Sequence, residues 1–117
     1  MPTVISAPTS IPVPGGKTIE EYVGRASSGD TAVSVAHMDA PPGWHEPYQT
    51  PQFDEFTVVL VGALLVDHDH TTTEVTAGQA IITRAGERIR YRTEQGARYV
   101  AVCLPAFSIE LAGREDD

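Results

Sequence analysis

The chain has 117 residues, enough for one hydrophobic core and too few for two. Of these residues 41% are hydrophobic and 21% are charged, with ten glycines and nine prolines, which predicts a globular protein of short strands and many turns rather than a disordered one. The formal net charge of -8 argues against nucleic acid as a partner and against contact with anionic membranes.

Residues 1–30 are interpreted as an amino-terminal arm. The first sixteen are rich in Pro, Ser and Thr, which is typical of an extended segment at a sheet edge or one that reaches a partner subunit. Thr18 to Val23 is predicted as one helical turn, because Thr18 and Glu21 have the spacing of a capping box. The sequence has neither a leader pattern nor an apolar stretch of membrane-spanning length, so we expect a cytoplasmic protein.

Residues 31–107 have the pattern of one β-barrel. Thr31 to Met38 alternates like a strand, and the apolar run Phe56 to Val66 predicts two strands joined at Gly62. After a polar connection over residues 67–73, further strands are expected at residues 74–76, 80–83, 88–93 and 98–104, with glycine turns between them. Short strands at close spacing indicate an all-β sandwich or closed barrel, followed by an acidic tail at residues 108–117.

Three other features have an ordinary interpretation. The arginines between residues 84 and 98 alternate along a strand, which indicates a solvated or intersubunit face rather than an anion site. Cys103, the one cysteine, lies in an apolar run and is expected to be a buried, inert thiol. The His-x-His spacing of His68 and His70 falls in the polar connection, where solvated turn residues or adventitious metal binding are the alternatives.

The glycines of this barrel have the spacing of the two motifs of the cupin family. In the first motif Gly43, Glu55 and Gly62 match, while Gln49 and Pro51 stand at the two histidine positions. In the second motif Gly78 and Gly86 match the two glycines. The proline, histidine and asparagine positions are occupied by Arg84, Ile89 and Thr93.

The chain therefore resembles a small single-domain cupin over residues 31–104, and more loosely the cupins labelled ethanolamine-utilisation-like. The resemblance implies a double-stranded β-helix, or jelly-roll, barrel with the amino-terminal arm attached. It also implies that most of the family's metal ligands are replaced, since only Glu55 is unchanged. We therefore expect no metal and no other cofactor, although His37 or His45 supplying replacement ligands remains an alternative.

In the cupin framework Glu55 enters the barrel near its mouth, with no metal to stabilise its charge. A carboxylate partly removed from water has a raised pKa and is a stronger base. The hypothesis is an isomerase, lyase or cyclase acting on a small organic substrate, with Glu55 as base, Tyr91 as hydrogen-bond donor and His37 as acid. The expected substrate-binding residues are Gln49, Gln52, Trp44 and Ile89.

Two alternatives remain open at this point: a barrel that binds a ligand without catalysis, and a metal-dependent enzyme with a rearranged ligand set. In each case the partner is a small molecule. A homodimer is also expected, because Phe56, Val58 and Leu60 form an apolar outward face and the arm is free to cross to a second subunit.

Overall fold

A computed structural model describes residues 1–116 of the chain. The strands and the one short helix of these residues are β1 (Thr9–Ile11), β2 (Thr18–Val23), β3 (Ser34–Ala40), β4 (Asp54–His68), β5 (Thr71–Thr76), β6 (Ala80–Thr83), β7 (Arg90–Arg92), β8 (Ala97–Leu104) and α1 (Ile109–Ala112). The all-β prediction is confirmed. No helix of residues 1–116 is long and apolar enough to cross a membrane.

Strand β4 connects the two sheets of the barrel. Its first half pairs with β8 and β6, and its second half pairs with β5 and β7. The two strands expected around Gly62 are thus one continuous strand, which bends at a register shift between Val59 and Val61. Gly62 has a φ of +78°, a conformation that favours glycine, and a Cβ there would overlap the carbonyl oxygen of Gly96.

The wider sheet has the strand order β1-β2-β3-β8-β4, with β6 on the far side of β4. All the pairings are antiparallel, and β8 lies between β3 and β4. Alternate residues of each strand face the second sheet, and they form a core of side chains no more than 2% exposed, which includes Ile19, Val59, Leu64, Val66 and Tyr99.

The predicted helical turn at Thr18 to Val23 is wrong, because these residues form β2. Ile19 and Glu21 both point inward with period two, and β2 pairs with β1 and β3 on its two sides. The Glu21 carboxylate accepts hydrogen bonds from the backbone N–H groups of Ala26 and Ser27, each over 3.0 Å. Glu21 therefore holds the turn after β2 instead of capping a helix, and the arm contributes two strands to the sheet.

The acidic tail packs on the barrel over its described residues. The Thr50 N–H donates to the Gly113 carbonyl over 3.1 Å, and the Gln52 N–H donates to the Leu111 carbonyl over 2.8 Å. Ala112 is fully buried, and Glu115 forms a two-point ion pair with Arg88. Asp117, the last residue of the predicted tail, lies outside the described residues.

The polar connection predicted for residues 67–73 is much shorter in the structure. Only Asp69 and His70 form the turn, both with positive φ, and the flanking residues belong to β4 and β5. Asp67 is buried and pairs with Arg90 and Arg92, over 2.9 Å and 2.8 Å. The His68 ring contacts the Thr73 hydroxyl over 2.7 Å, so these side chains hold the hairpin together.

Candidate functional site

A cavity lies between the two sheets of the barrel, lined by both apolar and polar side chains. The polar lining includes Lys17, Glu46, Gln49, Glu55, Tyr91 and Arg114. About 30 Å³ of this cavity is open to the centres of water molecules. Since about 10–15 Å³ accommodates one water, the space holds about two or three waters, or an organic molecule of a few non-hydrogen atoms.

Glu55 is the second residue of β4, and the alternation of the strand turns its side chain into the cavity. It is 7% exposed, and its nearest hydrogen-bond donor is the Thr57 hydroxyl at 3.5 Å. Burial, followed by the neighbouring charge of Glu46, raises the pKa of the Glu55 carboxyl to about 7. A carboxyl with this pKa exchanges protons readily near neutral pH, in either direction.

Glu46 is a second buried carboxyl, and it lies in the segment between β3 and β4. Its Oε2 atom has no hydrogen-bond partner among residues 1–116. Burial raises the pKa of this carboxyl, and the positive charges of Lys17 and Arg114 partly oppose that effect. A buried polar atom without a partner is uncommon in a folded protein and indicates a place for a water or a ligand.

Lys17 brings an amine into the same cavity from the residue just before β2. Its Nζ atom donates to the Tyr99 hydroxyl over 3.2 Å and lies 4.3 Å from the centre of the Trp44 ring. It forms no ion pair with any carboxylate in the described part of the chain. Burial lowers the pKa of the Lys17 ammonium, although Glu46 and Glu55 act in the opposite direction.

Two tyrosines supply hydroxyl groups. Tyr91 on β7 shares a hydrogen bond of 2.9 Å with the Thr83 hydroxyl, and Tyr99 on β8 accepts from Lys17. Burial raises the pKa of both phenols well above the usual value, so both stay protonated at neutral pH. They are therefore available as neutral hydrogen-bond groups.

Gln49 and Arg114 close one side of the cavity. The Arg114 guanidinium donates to the Gln49 side-chain oxygen over 3.4 Å, and the Gln49 backbone exchanges two hydrogen bonds of 2.9 Å with Ile89. A surface depression outside the barrel shares Lys17, Glu46 and Arg114 with the cavity. These three charged residues, the neck, thus border both the outer depression and the cavity.

The structure brings together some of the predicted site residues. Glu55, Tyr91 and Gln49 line the cavity. Trp44 is buried and packs on Lys17 at the neck, where it also lines the outer depression. Ile89 was predicted to bind substrate, but it is buried in the main core and does not line the cavity; its backbone pairs with that of Gln49.

Two further predicted residues also lie away from the cavity. His37 is on the outer face of β3, because Ala36 and Met38 on either side of it face the interior. It cannot act as the acid in this cavity, and its proposed place at the mouth is wrong. Gln52 is exposed on the loop before β4, where its backbone N–H pairs with the carboxyl-terminal segment. His45 is likewise exposed and does not line the cavity.

Sequence reasoning missed Lys17, Glu46 and Arg114. None of them occupies a position of the two motifs, and they come from three separate parts of the chain. One signal was available in the composition: the chain has eight basic residues, and Lys17 is its single lysine.

The side chains at this site do not fit the divalent metal that the resemblance connects with the fold. Residues 1–116 contain no group of three or more His, Cys, Asp or Glu side chains arranged to hold an ion. The Arg114 guanidinium, which stays charged, lines the cavity beside the carboxyls, and its charge opposes a bound cation. No step of the proposed chemistry is therefore assigned to a metal.

Solved structures show what this barrel is. A cupin of the RmlC-like type from Shewanella frigidimarina superposes on the chain with a TM-score of 0.72, covering 85% of each chain at 13% identity. The chain has a cupin fold. The jelly-roll prediction is confirmed, although no family model matches the sequence.

Other structures share this cupin fold at low identity. An ethanolamine utilization protein Q from Salmonella typhimurium has a TM-score of 0.69 and 23% identity, covering 78% of this chain and 71% of that one. The polyketide cyclase RemF from Streptomyces resistomycificus has a TM-score of 0.71 and 17% identity, covering 96% and 89%. These likenesses show the fold alone.

A curated relative has higher identity over a part of its length. The chain is 46% identical over 107 residues to a protein from Myxococcus xanthus named endoribonuclease YbeY. The match covers 90% of this chain and 36% of the relative. The chain thus spans about a third of that protein.

Proposed function

We propose that this cupin binds a small polar organic molecule in the cavity and that Glu55 transfers a proton to or from it, without a resident metal. The reaction class is isomerisation, elimination or cyclisation without oxidation. The observation that carries the proposal is the environment of Glu55: a buried carboxyl with a pKa of about 7 and one long hydrogen bond.

The surrounding groups support a carbonyl compound as the substrate. When Glu55 removes a proton next to a carbonyl, negative charge develops on the carbonyl oxygen and needs hydrogen-bond donors. The cavity offers the Tyr91 hydroxyl, the Gln49 amide and the Lys17 amine, all close to the carboxyls that line the same space. His37 has no part in this proposal, because it is on the outside of the barrel.

Metal independence is supported by the donor set. Glu55 is the one residue left unchanged at the motif's metal-ligand positions. The neighbouring Arg114 guanidinium disfavours a bound metal ion. Metal analysis of untagged protein should find much less than one equivalent of Fe, Mn, Ni or Zn. One equivalent of any of these, retained through gel filtration, would contradict this part of the proposal.

Proton exchange tests the role of Glu55 without knowledge of the natural substrate. Dihydroxyacetone and acetoin are small enolisable ketones, and NMR in D₂O follows the loss of their C–H signals. The wild-type protein should accelerate this loss over buffer, and Glu55→Gln should reduce the acceleration by about 10²-fold, the scale of general acid–base catalysis. Glu74→Gln, an exposed change on β5, is the matched control and should behave as wild type.

A ligand-binding protein without catalysis is the second candidate. It is favoured by the binding groups that do not involve Glu55, namely the Lys17–Tyr99 contact and the Gln49–Arg114 pair at the neck. Saturable shifts of a ketone's NMR signals with no accelerated exchange would support this candidate. Equal acceleration by wild type and Glu55→Gln would exclude Glu55 as the base.

Ribonuclease activity is not part of the proposal. The Myxococcus xanthus protein is named an endoribonuclease, but the chain spans 36% of it. The net charge of -8 opposes binding of a phosphate backbone. The narrow cavity also suits a small molecule better than a nucleotide chain.

A further inference from the structure

Lys17 is unusual in this chain in both type and position. Every other basic residue is an arginine. Arginines form the ion pairs with Asp39, Asp54, Asp67 and Glu115, on the surface or partly buried. The single lysine is instead 9% exposed and lines the cavity. An amine differs from a guanidinium in one chemical respect that matters here, because it can lose its proton and become a nucleophile.

We propose that Lys17 forms a Schiff base with a small aldehyde or ketone in the cavity. The inference deepens the proposed function by naming a covalent attachment for the carbonyl substrate, and it rests on the same cavity. It stands on the position of the amine: buried, aligned by the Tyr99 hydroxyl, not paired with any carboxylate of residues 1–116, and next to two buried carboxyls.

The contacts of Lys17 leave the amine available. Its hydrogen bond to Tyr99 uses one of its N–H groups, and the Trp44 ring covers it at 4.3 Å. A lysine whose function is to neutralise a buried carboxylate would form an ion pair, yet Glu46 Oε2 remains without a partner among the described residues. Burial also lowers the pKa of the ammonium, which increases the fraction of neutral amine at neutral pH.

The step balances without an oxidant or a reductant. The neutral Lys17 nitrogen attacks the carbonyl carbon, and a C–N bond forms as the C=O π bond breaks. The carbonyl oxygen takes a proton from the protonated Glu55, and the nitrogen returns one to the Glu55 carboxylate to give a carbinolamine. A second proton from Glu55 to this oxygen releases water and leaves a protonated imine, whose N–H proton goes back to Glu55 to give the imine. Addition of water reverses the sequence and restores the lysine.

The neighbouring carboxyls suit these proton transfers. Glu46 and Glu55 are the two acids whose charges act most strongly on Lys17. With a pKa of about 7, Glu55 is present both as acid and as base near neutral pH, so it can donate and then accept within one cycle. Lys17 and Glu46 both belong to the neck, so the amine and one of the two acids line the same side of the cavity.

Reductive trapping tests the proposal on the intact protein. Wild-type protein is incubated near pH 7 with acetaldehyde or pyruvate and sodium cyanoborohydride, and peptide mapping by mass spectrometry locates the secondary amine. Because the chain has one lysine, the amino terminus is the single competing primary amine. We expect Lys17 to be modified about tenfold faster than the amino terminus, although Lys17 is buried and Met1 is exposed.

Modification at the amino terminus alone, or of Lys17 only after unfolding in urea, would overturn the proposal. Lys17→Arg keeps a cation and should eliminate the internal adduct, and its thermal unfolding reports whether it folds. If it does not fold, mapping of the wild-type protein alone decides. If Lys17 is trapped but Glu55→Gln leaves ketone exchange unchanged, the proposed role of Glu55 is rejected and the Schiff base at Lys17 is kept. If Lys17 is not trapped but Glu55→Gln slows ketone exchange, the Schiff base alone is rejected.

Discussion

Lys17 and Tyr99 are joined by a hydrogen bond of 3.2 Å across 82 positions of sequence. The bond links the residue before β2 to the strand β8 at the centre of the wide sheet, inside the cavity rather than through backbone pairing. It shows that the amino-terminal segment, which is interpreted from sequence as an arm, supplies a wall and a functional group of the site.

The raised pKa of Glu55 predicts that stability falls as pH rises. The pKa is about 7 in the folded chain and near 4.5 when unfolded, so the folded state holds a proton that the unfolded state releases between these values. Stability should therefore decrease from about pH 5 to about pH 7.5, by on the order of 3 kcal/mol.

Urea unfolding as a function of pH measures this effect. Glu55→Gln should reduce the decrease and leave the part due to Glu46, whose pKa is also raised by burial. Glu74→Gln should keep the wild-type slope. An unchanged slope in Glu55→Gln would mean that the carboxyl is ionised without penalty in the folded protein.

A Cβ at Gly62 should destabilise the barrel by about 3 kcal/mol or more, through steric overlap added to backbone strain. Gly62→Ala would push a methyl group into the Gly96 carbonyl at the bend of β4. Gly78→Ala is the matched control, since Gly78 has a similar φ of +87° and open space around it. Gly78→Ala should lower the free energy of unfolding by about 1 kcal/mol, as measured by chemical denaturation. Equal losses in the two variants would show that the close approach does not matter.

The ion pairs of Asp67 predict that Asp67→Asn lowers stability more than Asp39→Asn does. Asp67 is buried under Arg90 and Arg92, and hydrogen bonds from these arginines and from Thr72 outweigh the effect of burial and lower its pKa to about 2. Asp67→Asn should cost about 2 kcal/mol at pH 7, since the amide cannot replace the charge between two guanidinium groups. Asp39→Asn, in an exposed pair with Arg98, should change stability by about 0.5 kcal/mol or less.

The pH dependence of the Asp67 contribution has the opposite sign to that of Glu55. Its depressed pKa means that the stabilisation is complete above the unfolded value of 3.8 and disappears as pH falls towards about 2. The difference between wild type and Asp67→Asn in urea unfolding should therefore shrink over this acid range. A difference that stays constant down to pH 2 would contradict the ionic explanation.

The outer face of the wide sheet predicts a homodimer. Val58 and Ile82 are 43% and 52% exposed, and Phe56, which pairs in register with Ile82, has its side chain on the same face. Light scattering at micromolar concentration should give a dimer mass, and Val58→Arg should give a monomer. Thr71→Arg, an exposed change on β5, is the control. A monomeric wild type would reject this use of the face.

The sequence predicted the barrel better than it predicted the site. Gly78 and Gly86 both have positive φ, so local turn chemistry is sufficient to place the ends of β6. The spacing of Thr18 and Glu21 wrongly predicted a helical turn, because a capping box is a local signal. The segment is a strand because it pairs with β3, which is distant in sequence.

The site was predicted where a motif position coincides with an inward-facing residue, as at Glu55 and Gln49. His37 was misplaced because the sequence gives the alternation of a strand but not which of its two faces is buried. Lys17 and Arg114 come from opposite ends of the chain and meet only in the folded barrel, so no spacing in the sequence could connect them.

The position of β8 between β3 and β4 has a consequence for biosynthesis. Until residue 104 has left the ribosome, the nascent chain lacks the middle strand of its wide sheet, and the edges of β3 and β4 have no partner. Such edges recruit strands from other chains, so the incomplete polypeptide is exposed to misassembly until β8 is available. Slower translation or chaperone capture should therefore change the yield of correctly folded protein more for this chain than for a helical protein of equal length. The contacts of a helical protein form as the chain emerges.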